Sequence, residues 1–289
     1  MKMVRRVVIC ADDYGLAPGV SRAIRDLAAA RRLSATSVMT LFPGLEREAA
    51  ALDDVRRARA SEAVETGTGA FGIGLHLTLT GGVQPLTAAP LKGDCLPSLS
   101  ELIRASLLRR LDLQAVEREI EAQFLAFFDL FGRPPDHVDG HQHIHLLPGI
   151  RSLALAATAR HAPRAWIRDC TPAPGTGLGL NLKGYLIGVF SFGLARDARA
   201  RGIAVNRGFA GAYDFSGAAD FRALLERALA FLPQGGVMMV HPGYVDEVLA
   251  ERDPITEPRA AEFAVLAAPD LPDRLTRLGL RLEHEPIAA

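Results

Sequence analysis

A recurring order along the chain constrains its fold most: a short apolar run, a break, then a segment with helical periodicity. Val4 to Ala11 reads as a strand buried on both faces, and Pro18 to Arg32 as a helix. Ala23, Leu27 and Ala30 share one face of that helix, and Pro18 sits where a first turn tolerates it. The alternation continues with a strand over Ser34 to Leu41, a helix over Pro43 to Ala60, a loop over Ser61 to Ala70 and a third strand over Gly72 to Leu79. Gly81 to Pro97 is a long surface loop, and Ser100 to Phe131 holds one or two helices, with Asp112 a candidate cap. His137 to His145 is a fourth strand, Ile150 to His161 a helix and Ala165 to Cys170 a fifth strand. A loop over Thr171 to Leu182 leads into a helix ending near Arg201, then a short strand over Ile203 to Asn206. Gly217 to Leu232 is helical, Gly236 to His241 is a seventh strand, Glu257 to Leu278 is helical and Leu280 to Glu283 forms a last strand.

Strands separated by helices pair in parallel through right-handed crossovers. Seven or eight such units predict a closed or nearly closed (β/α) barrel, and 289 residues suit one domain of that kind. A doubly wound sheet is the rival, but no G-x-G-x-x-G follows the first strand. With no internal repeat, residues 1–289 read as a single domain.

Composition excludes several classes. The 33 basic and 33 acidic residues cancel, so the chain lacks the basic footprint of a nucleic-acid binder. Cys10, Cys95 and Cys170 are scattered and odd in number, which argues against a disulfide framework or a thiolate zinc site. Positive charge near Met1 to Arg6 precedes an apolar run, Val7 to Ala11, too short for a signal-peptide core. Nor does any stretch reach the ~20 apolar residues that span a bilayer. The expectation is a cytoplasmic protein without a transmembrane segment.

The chemistry-bearing residues share one address. Asp12 and Asp13 end the first strand, His76 lies in the third, Asp139 and His141, His143 and His145 lie in the fourth, and His241 ends the seventh. Parallel barrels place their sites at the carboxyl ends of the strands. In the fourth strand every odd position from 137 to 145 is His or Asp, so alternation puts all five on one face. Positions two apart are separated by ~6.6 Å. One ion therefore cannot take all five, and they must divide among ligands, orienting groups and substrate contacts. Adjacent strand residues point to opposite faces, so Asp12 and Asp13 both reach a site only where the strand ends, at Tyr14-Gly15. Two neighbouring carboxylates also need a cation or a proton to relieve them. His76 and His241, each in an otherwise apolar strand, are equally compatible with buried or rim histidines when taken alone.

Together, Ala-Asp-Asp-Tyr-Gly-Leu at 11–16, Gly-Leu-His-Leu-Thr-Leu at 74–79, His-Val-Asp-Gly-His-Gln-His-Ile-His at 137–145 and Val-His-Pro-Gly-Tyr at 240–244 resemble the YdjC-like family of carbohydrate deacetylases. The resemblance spans nearly the whole chain. It implies a distorted TIM-like barrel that hydrolyses the N-acetyl group of an N-acetylglucosamine-containing sugar, with one divalent ion held by an Asp and two His. Carried across, the ligands are Asp13, His76 and His141, the base is Asp12 and the acid is His241. Arg168 matches a family arginine near the substrate, and Asp139 and His143 are left to orient ligands or contact substrate.

Two nitrogens and one carboxylate suit zinc, with cobalt, nickel, manganese or magnesium as other occupants. The chemistry expected is attack by a metal-activated water with an Asp base and a His acid. Chitobiose-like oligosaccharides and a glucosaminyl lipid both fit the resemblance. The rivals are a phosphoesterase on the same barrel, which would want further carboxylate ligands, and a non-catalytic metal- or sugar-binding protein, which would not need both Asp12 and His241. A glycosidase needs opposed carboxylates, and Asp12 and Asp13 are adjacent. The apolar stretch Leu180 to Ala195 reads as a helix beside a solvent loop, with a lid or a homodimer contact as its other roles.

Overall fold

The computed structural model of the chain describes residues 4–66, 70–87, 89–91, 93–176, 182–215 and 220–286. It opens with β1 (Arg5–Tyr14), α1 (Pro18–Ala29), β2 (Ala35–Val38), α2 (Leu45–Thr66) and β3 (Gly72–Leu77). Helices α3 (Leu99–Leu107) and α4 (Leu113–Phe131) follow, then β4 (His137–Gly140), a 3-10 turn over His141–Leu146, α5 (Ile150–His161) and β5 (Trp166–Ile167). The second half runs α6 (Leu182–Ser191), α7 (Leu194–Arg199), β6 (Ala204–Val205), β7 (Phe209–Ala210), α8 (Phe221–Phe231) and β8 (Val237–Val240). It closes with α9 (Glu247–Arg252), α10 (Glu257–Ala267), α11 (Leu271–Arg277) and β9 (Leu280–Leu282).

The strands form one parallel sheet in the order β6-β5-β4-β3-β2-β1-β8-β7, with β9 added on the amino-terminal half of β1. The sheet curls into a half-barrel wrapped by helices. Among the described residues no ladder joins β6 to β7, so the expected TIM-like barrel is distorted and open there. β1 is the central staple, paired to β2, β8 and β9. Its segment from Val7 to Ala11 is wholly buried, as a strand covered on both faces must be. Helices obey local rules where the sequence marks them. Asp112 caps α4 by accepting from the amides of Gln114 and Ala115, and Gly132 ends that helix at φ 63°.

The largest departure from expectation is the fourth strand. It stops at Gly140, because Gln142 and His143 take left-handed φ values of 53° and 63° and turn the chain into the 3-10 segment. His141, His143 and His145 are therefore not successive rungs on one strand face. Gly140 is what lets the turn fold back, since a Cβ there would lie 2.9 Å from His145 Nδ1. Other differences are smaller. Helix α2 runs on to Thr66, through part of the segment expected as a loop; residues 67–69 of that loop lie outside the described residues. The helix expected to end near Arg201 breaks at Gly193, φ 86°, and the carboxyl-terminal helix divides at 268–270. Strand β7 and helix α9 lie in segments for which no element was expected. The expected loop at 171–182 and helix start at Gly217 fall partly outside the described residues, at 177–181 and 216–219. No helix among the described residues is long and apolar enough to cross a membrane.

Candidate active site

Strand register assembles the site. Ladder pairing sets His76 of β3 beside Asp139 of β4. One position past β5, Arg168 continues that row, its amide bonded to the Val138 carbonyl. On the other side Ser37 of β2 reaches both Asp12, at 3.3 Å, and His76 Nδ1, at 3.1 Å. A row of polar side chains thus crosses the carboxyl end of an otherwise apolar sheet.

At the end of β1 the expected turn at Tyr14-Gly15 is not what brings the two acids together. The strand continues to Tyr14, but its register slips between Ala11 and Tyr14, and Asp13 adopts φ 66°. This bulge turns adjacent residues toward one cavity, a use bulges commonly have beside active sites. Asp is among the residues that tolerate that conformation best.

Three ligand atoms converge at Asp13. His76 Nε2 lies 3.2 Å and His141 Nδ1 2.9 Å from the same oxygen, Asp13 Oδ1. The other nitrogen of His76, Nδ1, is 2.6 Å from Asp139 Oδ1. With Nδ1–H donating to Asp139, the neutral ring turns a lone pair toward an oxygen that has only lone pairs. Such a facing pair of acceptors demands a proton or a cation, and the donor set of two imidazoles and a carboxylate fits a divalent ion. If His76 holds such an ion, Asp139 is placed to orient its imidazole from behind, as carboxylates commonly do in metal sites. Two other trios also bring ligand atoms within 4.8 Å of one another: Asp12, His76 and Asp139, and Cys10, His137 and Asp139. Asp139, Cys10 and His137 do not line the cavity. Burial raises the Cys10 thiol well above its usual range.

Two buried arginines hold the acids. Arg168 grips Asp12 with two parallel bonds of 2.6 and 2.7 Å and also pairs with Asp139. It is fully buried and does not line the cavity, so it lies behind Asp12. Arg259, on α10, bonds Asp13 Oδ2 at 2.6 Å and Asp253 at 2.5 Å. Burial works against ionisation of Asp13, yet Arg259 and then His141 hold its carboxyl well below the usual carboxylate range. Burial alone would likewise favour a neutral His76, but Asp139 and Asp13 push its pKa up to about 10. At His137 and His145 burial outweighs the opposing pull of Asp139. Burial lowers both to about 4, with His137 stacked on Trp166 and His145 bonded to the Arg168 carbonyl.

His241 lines the same cavity as Asp12, Asp13, His76 and His141, with its ring edge-on to Phe215. Its backbone amide donates to Glu262, whose other oxygen accepts from the Tyr213 hydroxyl. Glu262 is fully buried, and burial lifts its pKa to about 7. His143 also lines the cavity, with Nδ1 3.5 Å from Cys170 Sγ.

The structure therefore brings Asp12, Asp13, His76, His141, His143 and His241 to one cavity and sets Asp139 and Arg168 behind it. Sequence reasoning missed Ser37, Asp253, Arg259 and Glu262. A signal existed for two of them. Arg259, Glu262 and Leu266 form the buried stripe of α10, and two charges on the inward face of a short helix call for partners inside.

The chain is similar to several known proteins. A model of the YdjC-like protein family matches residues 6–277. Chitooligosaccharide deacetylases of Yersinia pestis (strain Pestoides F) and Yersinia pseudotuberculosis (serotype O:1b, strain IP 31758) are each 31% identical over 285 residues, covering 97% of this chain and 98% of theirs. Among solved structures, a protein from Enterococcus faecalis V583 assigned to cellobiose-phosphate cleavage superposes with a TM-score of 0.71 at 19% identity, covering 96% of both chains. The Bc1960 peptidoglycan N-acetylglucosamine deacetylase superposes at 0.50 and 9% identity, covering 97% of this chain and 86% of that one, a likeness of fold alone.

Proposed function

Because the chain belongs to the YdjC-like family, we propose that it is a metal-dependent hydrolase that removes the N-acetyl group from an N-acetylglucosamine-containing sugar. The observation that carries the reading is the convergence of Asp13, His76 and His141 on one point of a cavity that Asp12 and His241 also line. The names of the Yersinia relatives support the same reaction.

Asp13, His76 and His141 would hold the ion, with zinc favoured by the ligand chemistry. When bound, a divalent ion supplies Lewis acidity, lowering the pKa of water and polarising a carbonyl. The chain's own residues do the rest. Asp12 is fixed by the Arg168 fork and by Ser37, so its carboxylate is presented to the cavity without rotational freedom and accepts the proton of the attacking water. His241 donates a proton to the departing amine, which otherwise leaves as a poor amide anion. Its main chain is anchored through Glu262, and its ring is steered by Phe215. Arg259 keeps Asp13 ionised, and Asp139 fixes the tautomer of His76.

The test is acetate release from a panel of N-acetylglucosaminides by the zinc-loaded protein, before and after chelation. Metal-dependent release is expected, with Asp12→Asn lowering kcat by about 10²–10⁴. Unchanged turnover in Asp12→Asn would sink the base assignment, and full activity after chelation would sink metal dependence.

A further inference from the structure

Asp13 gives its two oxygens to different partners. Oδ1 faces both imidazoles, 3.2 Å from His76 Nε2 and 2.9 Å from His141 Nδ1. Oδ2 accepts from Arg259 Nη2 at 2.6 Å. One oxygen of the carboxylate thus belongs to the candidate metal centre and the other to a cation of the chain itself.

Arg259 is fixed along most of its length. It is buried, and its Nε donates to the Ile255 carbonyl at 3.1 Å. Nη2 also bonds Asp253 Oδ2 at 2.5 Å, so both of its hydrogens are engaged by carboxylates. Turning the planar guanidinium would break these bonds together. The stem is enclosed as well. The Gly243 amide donates to the Arg259 carbonyl at 3.1 Å, and a Cβ on Gly243 would lie 3.4 Å from both Cβ and Cδ of the arginine. The segment that follows His241 therefore packs directly on the arginine that holds Asp13.

This arrangement bears on how Asp13 meets an ion. A carboxylate can bind a cation through one oxygen or through both. Chelation through both would turn Oδ2 toward the ion and away from Arg259. That motion works against a charge-assisted hydrogen bond, about twice as strong as a neutral one. It would also leave a buried guanidinium facing Asp253 alone, where removal of one partner of an ion pair is costly. Binding through Oδ1 only keeps the bond intact. The chain then supplies three donor atoms rather than four, and an ion with three protein ligands keeps a position open for water or substrate.

Resting on the metal-dependent reading above, we infer that Arg259 is a positioning residue that restricts Asp13 to coordination through a single oxygen and so keeps part of the ion's shell open to the reactants. It acts through Asp13 and needs no contact with the substrate.

The first test uses the unaltered protein: a crystal structure after zinc loading. Asp13 Oδ1 is expected at about 2.0–2.2 Å from the ion, with Oδ2 still bonded to Arg259. Zinc bound through both oxygens overturns this inference and leaves metal dependence standing. No zinc on Asp13, His76 and His141 overturns both. The second test replaces zinc by cobalt(II), whose visible absorption weakens as its coordination number rises. Arg259→Gln releases Oδ2 to chelate, so absorption per bound cobalt is expected to fall several-fold with one ion still bound, and kcat to fall by about 10–100-fold with KM little changed. Arg259→Lys retains a cation beside Oδ2 and is expected to recover most of the wild-type absorption. A Gln variant with the wild-type spectrum, or a Lys variant that matches Gln, overturns the assignment to Arg259.

Discussion

Replacing Glu262 by Gln isolates one buried carboxyl whose charge the fold resists. Burial raises its pKa from an ordinary 4.5 to about 7, against the opposing pull of the His241 amide, the Tyr213 hydroxyl and Arg259. The sign follows from the direction. A carboxyl with a raised folded-state pKa favours the fold fully below its unfolded value, and that advantage drains away as pH rises from 4.5 through about 7. The interval corresponds to about 3 kcal/mol, at about 1.4 kcal/mol for each pH unit. Gln has the same shape. Its oxygen can accept from the His241 amide, and its NH2 group can donate to the Tyr213 oxygen, so the hydrogen bonds survive while the titration does not. Urea unfolding of both proteins at matched metal content, at half-unit steps from pH 4.5 to 8, gives the difference directly. Relative to wild type, Glu262→Gln is expected to gain about 3 kcal/mol between pH 4.5 and the plateau above 7. Common titrations elsewhere cancel in the difference. Stability curves that run parallel across this range would refute the reasoning and mean that Glu262 ionises as freely folded as unfolded.

Three further outcomes follow from the geometry. Arg168→Ala strands the buried carboxylates of Asp12 and Asp139 and is expected to cost about 3–5 kcal/mol in urea unfolding. Asp139→Asn removes the charged partner of His76 Nδ1 and should weaken zinc affinity by about 10–100-fold in a competition titration with a chromogenic chelator. Gly211→Ala combines φ 111° with a Cβ placed 2.0 Å from the Met239 carbonyl, so its thermal midpoint should fall; one equal to wild type would deny the strain.

What could be read from the sequence tracks the physical signal each element leaves. Buried strands such as β1, β3 and β8 are apolar runs, and α1 and α4 carry helical periodicity with a first-turn proline or a cap, so their existence and order were legible. β7 was not: two residues flanked by Gly208 and Gly211 leave no period to detect. The fourth strand misled because alternating His and Asp mimic a polar strand face, whereas two consecutive left-handed residues, which no alternation rule reveals, end it at Gly140. At the site, residues at strand ends were visible because a charge after an apolar run is conspicuous. Arg259 and Asp253 come from a helix and a loop that reach the site only through tertiary packing, and no spacing to Asp13 announces them. The bulge at Asp13 was equally hidden, although the need for both acids to face one way pointed to some irregularity there.

The two guanidinium groups have a consequence for what the site can host. Four carboxylates are gathered there, those of Asp12, Asp13, Asp139 and Asp253, against Arg168 and Arg259. With both imidazoles neutral, the ensemble carries two uncompensated negative charges in a medium that screens poorly. A dication brings it to electroneutrality, a monovalent ion leaves it short by one, and a trivalent ion overshoots. A proton on His76 supplies only half the deficit, so ion and proton compete for the same debt of charge. An ion of charge two, if held by Asp13, His76 and His141, would thus be matched by the arginines without touching either of them.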